Sequence, residues 1–523
     1  MSQRESLLKG AAALAVAGLF IKISNLLVRV PLTRLITAEG LGIYQMALPA
    51  FYALYHLAAG GVPVAVQNLV AEYAAQGRKR AADQVLTLAL QFTLVAGGLA
   101  CLVLLLAARP LAHMLGEDRI YWSLLAVAPA ILLAALDSIY RNYLQGLKRM
   151  TPTATAQTLE QATKMVATIL GALWLAKLGR EYAAAGAALG ITAGCFASLL
   201  YMAWIIRQVR EQAEAEGEWG KPERPVIIVR RMIRMAWPVT IASVLMPLLN
   251  LIDVGLVQRG FLSAGYEQSA ATTLYGAYSG IAVQMVWFPV ILTNALGNAL
   301  GPVLTAAQAA KQPERVHARA VLGLRATAMI CLPVAVAAAL LSGAIAQLFA
   351  EPTAARPLAL LAPVAFLGPL TWLMTAYLQA LGRTGEPMRN LMIGMAFKLA
   401  LDGLLAPIRG IDVLGVAFAS VMMFTIASLL NGISLANQLK EPLPWSEILG
   451  GPTLASIVMG GALFLAAQAH LLHLENLGLF CGVLVAAAPL YVGVLLLTGA
   501  IKRHELAGLM RPFSERIERI WPF

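Results

Sequence analysis

Runs of about twenty apolar residues follow one another along almost the whole 523-residue chain, separated by short polar breaks. A helix of that length rises about 30 Å, the thickness of the hydrocarbon layer of a bilayer. About fourteen such runs are present. Charged residues make up 13% of the chain, whereas soluble domains carry about 25%. The expected fold class is therefore an all-α polytopic membrane protein with about fourteen transmembrane helices. Several runs are longer than a span requires, which calls for tilt, kinks or helical extensions beyond the bilayer.

Charge sets the expected orientation. If the N-terminus is cytoplasmic and the spans alternate, most of the 39 Lys and Arg residues fall on the cytoplasmic side, while Lys22, Lys164 and Lys398 lie within spans. This is the positive-inside pattern, and it places both termini in the cytoplasm. The net charge of +12 then reflects topology and contact with anionic membrane lipids, not nucleic-acid binding. Arg78-Lys79-Arg80 and Arg230-Arg231 stand beside spans, with no soluble domain to present them. The first apolar run lacks a small-x-small cleavage site and reads as a retained span.

The chain also repeats itself. Tyr143-Leu144-Gln145-Gly146-Leu147-Lys148-Arg149 returns 234 positions later as Tyr377-Leu378-Gln379-Ala380-Leu381-Gly382-Arg383. The same shift carries Lys164 onto Lys398, and Asn25…Arg34 reappears with its spacing as Asn250…Arg259. Tandem similarity in an apolar chain points to a transporter built from two halves around a central site. The expected organisation is a six-helix half over 1–206, a polar cytoplasmic linker over 207–228 and a second six-helix half over 229–438. An even number of spans per half makes the two pseudo-repeats parallel. Residues 439–500 add two helices without a counterpart, and 501–523 read as an amphipathic interfacial tail.

Several chemistries find no support. External loops are short, leaving no obvious place for the catalytic loop of a membrane-embedded glycan-processing enzyme. A P-loop is lacking, so ATP hydrolysis is not expected. Cys101, Cys195, Cys331 and Cys481 lie singly in apolar runs and read as small buried hydrophobes. His470 and His473 have no further ligands nearby, so neither a metal nor a cofactor is expected.

The remaining chemistry is inside the membrane, where a charge costs about 2.5–3.5 kcal/mol on insertion scales and usually faces a cavity or a partner. Lys22, Asn25 and Arg29 share one helix face, Pro31 then bends or breaks the helix, and Arg34 follows. A cationic stripe beside a hinge suits an anionic ligand entering a central cavity, although Arg29 and Arg34 reaching the headgroups is the alternative. Three pairs stand at i, i+4: Asp137/Arg141, Glu160/Lys164 and Lys398/Asp402. The first reads as structural. The other two lie deeper and are open between structure and function. Asn250 and Asp253 share a face of span 7, and Asn294 and Asn298 of span 8 read as interhelical hydrogen-bonding groups. Pro63 and Pro302, each after glycine in a corresponding span, are candidate bending points.

Gly40 to Pro49 with Gly61-Val62-Pro63-Val64-Ala65 resembles SpoVB-type polysaccharide exporters. The segment Gln157 to Lys164 is similar to that family's acidic-Gln-basic stretch, and Leu274 to Tyr278 through Gly301-Pro302 resembles the matching half of MurJ-like lipid II flippases. Both groups belong to the multidrug/oligosaccharidyl-lipid/polysaccharide (MOP) exporter superfamily, with the MATE-like two-half fold plus a C-terminal helix pair. The resemblance implies flipping of an undecaprenyl-pyrophosphate-linked sugar, a lipid-linked anionic oligosaccharide, across the bacterial cytoplasmic membrane. Lys22, Asn25, Arg29 and Arg34 would then hold the substrate, with Arg259 as the repeat partner of Arg34. The last two spans would line a groove for the lipid tail. MurJ-like proteins often carry arginines where this chain has Tyr278-Ser279-Gly280 and His56-Leu57-Ala58, which favours the SpoVB-like branch. Some relatives bind a cation through carboxylates on spans 7 and 11, where this chain has Asp253 and Asp402. Lys398 stands one turn before Asp402, so its ammonium is expected to replace sodium. Glu160, Lys164, Asp253, Lys398 and Asp402 are the candidate coupling charges. A cation-coupled multidrug antiporter is the rival reading, but span 1 carries cations and no carboxylate.

Overall fold

The computed structural model describes residues 3–215, 222–439, 441–469 and 477–500. The side chains of Lys22, Asn298 and Cys481, the residues His470 and His473, and the 501–523 tail lie outside the described residues. Among the described residues there is no β-strand. The helices gather into two compact units.

The first unit comprises residues 1–280 and 402–413. Its helices are α1 (Gln3–Ala59), α2 (Val62–Ala75), α3 (Lys79–Leu115), α4 (Ile120–Gly146), α5 (Thr151–Leu175), α6 (Arg180–Ala215), α7 (Pro225–Ser263) and α8 (Gln268–Tyr275). The long α1 carries the first expected span and the start of the second. Its interruption falls at Thr37, with φ 63 and ψ 174, and not at Pro31. A proline removes one hydrogen bond and can leave the helix continuous, whereas positive φ at a β-branched residue takes the chain out of the helical basin. Packing in this unit relies on small residues. A Cβ on Gly171 of α5 would strike the backbone of Gly186 on α6, and the reverse also holds. Such contact brings helix backbones together where no hydrophobic effect drives association. At the end of α2, Leu69, Tyr73, Val85, Leu86, Ile139 and Met202 close a common core.

The second unit comprises residues 281–401 and 414 onward. It holds α9 (Val283–Val286), α10 (Val290–Ala309), α11 (Pro313–Leu340), α12 (Ser342–Leu348), α13 (Ala355–Leu361), α14 (Val364–Ala380), most of α15 (Gly385–Leu405), α16 (Asp412–Leu439), α17 (Trp445–Gln468) and α18 (Leu477–Leu497). Expected span 8 is therefore not one helix. It runs from α8 through a π-helical segment, Gly276–Ala282, into α9 and α10. Helices α17 and α18 pack on α11: Tyr491 donates to the Met329 carbonyl at 2.7 Å, and Met459, Leu463 and Leu495 fill the seam.

Eight helical stretches of the described residues are long and apolar enough to cross a membrane, or nine if α13 and α14, bent by 47°, form one span. Fourteen passages are consistent with this, because α1 joins two of the expected spans and span 8 is interrupted. The protein is a multi-pass, all-helical membrane protein.

Candidate functional site

Within the first unit, helices α4, α5 and α6 bring charged groups together at membrane depth. Arg141 of α4 forms an ion pair with Asp137, one turn earlier, at 2.6 Å. The same guanidinium binds Glu160 of α5 and donates to the Ser198 hydroxyl of α6 at 2.8 Å. Ser198 donates to the second Asp137 oxygen at 2.9 Å. Asp137 and Ser198 are buried. The Asp137/Arg141 pair thus forms as its spacing suggests, but Glu160 differs from expectation: its hydrogen-bonded partner is Arg141 on the neighbouring helix. A guanidinium offers five donors in a planar fork and can hold two carboxylates, which an ammonium on the same helix does less well.

Lys164 therefore carries charge that Glu160 does not fully claim. It lies within electrostatic reach of the Tyr44 and Tyr52 hydroxyls as well as of Glu160. Arg29 of α1 has the same two tyrosines as neighbours. Asn25, also on α1, accepts a hydrogen bond from the Gln161 amide of α5 at 2.9 Å. Asn25, Arg29, Glu160 and Lys164 thus meet in one polar region between α1 and α5. Three cations (Arg29, Arg141, Lys164) stand against two carboxylates (Asp137, Glu160). Tyr52 is 43% accessible and lies within electrostatic reach of Lys164 and Glu160. Sequence reasoning missed Tyr44, Tyr52, Gln161 and Ser198, which carry no charge to mark them.

A second ionic group closes one end of the first unit, the end that charge-based topology places outside. Glu39 is buried just beyond the Thr37 break. It accepts from Arg119 at 2.6 Å and from Arg180. Arg119 in turn forks onto Glu117, with both bonds at 2.8 Å. Glu117 also accepts from the Thr272 hydroxyl of α8, and Gln258 of α7 donates to that hydroxyl at 3.0 Å. Burial pushes the Glu117 carboxyl up, but hydrogen bonds from Arg119 and Thr272 outweigh it and hold its pKa below the usual carboxylate value. The bond to Glu117 raises the Arg119 pKa in turn. Beside these residues the backbones of α1 and α8 touch: a Cβ on Gly276 would meet the Ala38 carbonyl oxygen, and one on Gly42 that of Thr272. The break in α1 and the N-terminal ends of α4 and α6 are thereby latched to α7 and α8. Apart from Arg119 on Glu117, two residues before it, these contacts do not follow from local spacing, since the partners lie up to 155 residues apart.

The other expected site residues are more dispersed. Arg34 is exposed on α1, three residues before the Thr37 break. Arg259 is exposed at the end of α7, donating to the His113 carbonyl at 3.3 Å. Asp253 is half-buried on α7, and Asp402 is fully buried at the start of the stretch Gly403–Ala406 that packs against Leu256 and Gly260. Lys398 is buried, and it belongs to the second unit.

The second repeat answers the first differently. The 234-residue shift carries Asp137 onto Thr371, Arg141 onto Thr375 and Glu160 onto Gly394. Thr371 bonds the Ser428 hydroxyl at 2.7 Å. Asn390 donates to Asn431 at 2.9 Å, and Asn431 donates to Thr375 at 3.3 Å. The arrangement is a network of hydroxyls and amides, touched at one edge by a long bond from Arg389 to the Asn390 oxygen at 3.4 Å.

Known proteins share this architecture. Along its sequence the chain is 28% identical to stage V sporulation protein B of Bacillus subtilis (strain 168), over 96% of this chain and 97% of that protein. Its fold matches that of a lipid II flippase MurJ solved in an inward closed conformation, at a TM-score of 0.65 and 15% identity over 93% of this chain and 98% of the other. A MATE family multidrug resistance transporter of the MOP superfamily, solved inward-facing, matches at a TM-score of 0.63 and 16% identity, over 82% and 98%. The fold is that of the MOP superfamily. A family model covers residues 7–308, more than half of the chain, and by that match the chain belongs to the polysaccharide biosynthesis protein family.

Proposed function

We propose that this protein is an alternating-access flippase that moves an undecaprenyl-pyrophosphate-linked sugar, or a related lipid-linked anionic oligosaccharide, from the inner to the outer leaflet. The observation that carries this reading is the excess of cation in the first-unit cluster. Arg141 takes up both carboxylates, and Arg29 and Lys164 remain beside the buried Tyr44 and the exposed Tyr52. A guanidinium suits the paired oxygens of a pyrophosphate, and Lys22 on the same helix face of α1 would extend the stripe. Arg34 and Arg259 would stand at the rim. The lipid tail would run along α17 and α18, where Leu454, Ile457, Phe464 and Leu465 are exposed. A multidrug antiporter needs carboxylates available to a cationic drug, and those of the first unit are engaged.

The Glu39–Arg119–Glu117–Thr272 latch acts as the outer gate in its closed state. Both termini would be cytoplasmic, in a bacterial inner membrane. Coupling would run through Asp253, Lys398 and Asp402 by proton movement or membrane potential, without sodium. The experiment is flux of labelled lipid-linked sugar in proteoliposomes. Arg29→Ala is expected to lower flux roughly ten- to a hundredfold with insertion intact, and normal flux would refute the assignment. Strict sodium dependence at fixed potential and pH would refute the coupling.

A further inference from the structure

The second unit contains a basic cavity that the transport reading does not use. It lies between the first turn of α15 and the last turns of α16, and it holds about 310 Å³. Arg383, Glu386, Arg389, Asn437 and Gln438 line it, over a floor made by Asn390. Asn390 is 1% exposed and is fixed by bonds to Asn431 and to the Ser434 hydroxyl at 3.3 Å, so the floor is a built surface. Arg383 is shared between Gln438 at 3.2 Å and Glu386 at 3.6 Å. Arg389 has only a long bond to the Asn390 oxygen, at 3.4 Å, among the described residues. Two guanidiniums thus face one carboxylate, and the N-terminus of α15 adds its partial positive charge.

The cavity is next to an apolar surface. Leu430 and Ile433 of α16 form one wall, and Ile433 is 58% exposed, as is the neighbouring Leu429 at 62%. Neither arginine environment is inherited from the repeat. The 234-residue shift places Pro152, Thr155 and Ala156 where the second half has Glu386, Arg389 and Asn390, although Arg149 matches Arg383.

We propose that this cavity binds the phosphodiester headgroup of an anionic glycerophospholipid, with the acyl chains lying along Ile433 and Leu429. Charge-topology places the cavity at the cytoplasmic leaflet. Arg389 supplies a free guanidinium edge to the phosphate, Arg383 a second cation, and Asn437 and Gln438 hydrogen bonds to the glycerol. The ligand's phosphate chemistry is shared with free inorganic phosphate, but the exposed apolar wall favours the lipid.

The test uses the full chain in nanodiscs of phosphatidylcholine with and without phosphatidylglycerol. Retained phosphatidylglycerol is counted by native mass spectrometry, and folding is checked by the thermal midpoint in phosphatidylcholine alone. Arg389→Ala and Arg389→Gln are each expected to lower retention roughly tenfold, the equivalent of one charge-assisted hydrogen bond. Arg389 is exposed, so neither change empties a core. Arg389→Lys is expected to recover part of the loss, and Arg149→Gln, at the matching place of the first half, to change nothing. Equal retention by wild type and both Arg389 variants would overturn the proposal. So would inorganic phosphate stabilising the protein in phosphatidylcholine as well as phosphatidylglycerol does, because that would assign the cavity to a soluble anion.

Discussion

The two repeats place different chemistry on one helical frame. In the first, Asp137, Arg141, Glu160 and Ser198 tie α4, α5 and α6 together ionically. In the second, Thr371 and Thr375 stand at the places of Asp137 and Arg141, and with Asn390, Ser428 and Asn431 they join α14, α15 and α16 through neutral groups. Both satisfy the rule that a polar group in the membrane needs a partner. The neutral network does so with little desolvation at stake. The ionic one costs far more to assemble, because several kcal/mol of desolvation accompany each buried ion. A structural brace would not require that cost, as the second repeat demonstrates. On the proposed function, the charged version marks the first repeat as the half that handles a charged ligand.

The sharpest way to break this contrast is Arg141→Ala, which strands two carboxylates. It is expected to destabilise the protein by about 3–5 kcal/mol, read from thermal or denaturant unfolding in detergent. Thr375→Ala, at the matching place, is expected to cost about 1 kcal/mol. Equal losses would remove the asymmetry.

The latch offers a second handle. In Glu117→Gln, Arg119 keeps Glu39 but loses its strongest partner, so spin labels at Asp118 and Ser269 should move apart at neutral pH. The wild type has a pH dependence of definite sign. The Glu117 pKa is depressed when latched, so its contribution is complete above the ordinary carboxylate pKa, about 4.3, and is lost as pH falls through the depressed value. The label distance should thus be constant from neutral pH to about 5 and lengthen only in stronger acid. Lengthening between pH 8 and 6 would place the switch on another group.

A smaller effect belongs to Thr371→Val, which removes one hydroxyl from the neutral network and leaves the Ser428 hydroxyl with its bond to the Leu367 carbonyl at 3.2 Å. The expected cost is about 0.5–1.5 kcal/mol, with transport unchanged. A loss of transport there would show that the second repeat is more than a brace.

The sequence carried much of the fold. Apolar runs and the Tyr143/Tyr377 repeat sufficed to expect helical spans in two halves, because the bilayer leaves the backbone few options. Local spacing also found Asp137/Arg141. It failed where the third dimension decides. Glu160 and Lys164 share a helix face, yet Arg141 from α4 reaches Glu160 first. Pro31 is a sequence-level breaker, yet the backbone turns at Thr37, where Glu39 must meet Arg119 and Arg180. The latch and the Arg389 cavity rest on residues that are unremarkable in isolation: exposed-looking charges at span ends, given meaning only by partners far along the chain.

The central claim is that the cations of the first repeat hold an anionic lipid-linked sugar during flipping. The most direct measurement is the flipping rate of a fluorescent undecaprenyl-pyrophosphate-linked sugar in proteoliposomes, comparing wild type with Arg29→Ala at equal incorporation. Loss of a bidentate, charge-assisted contact predicts a fall of roughly ten- to a hundredfold, with Arg29→Lys in between. An unchanged rate in Arg29→Ala would contradict the account.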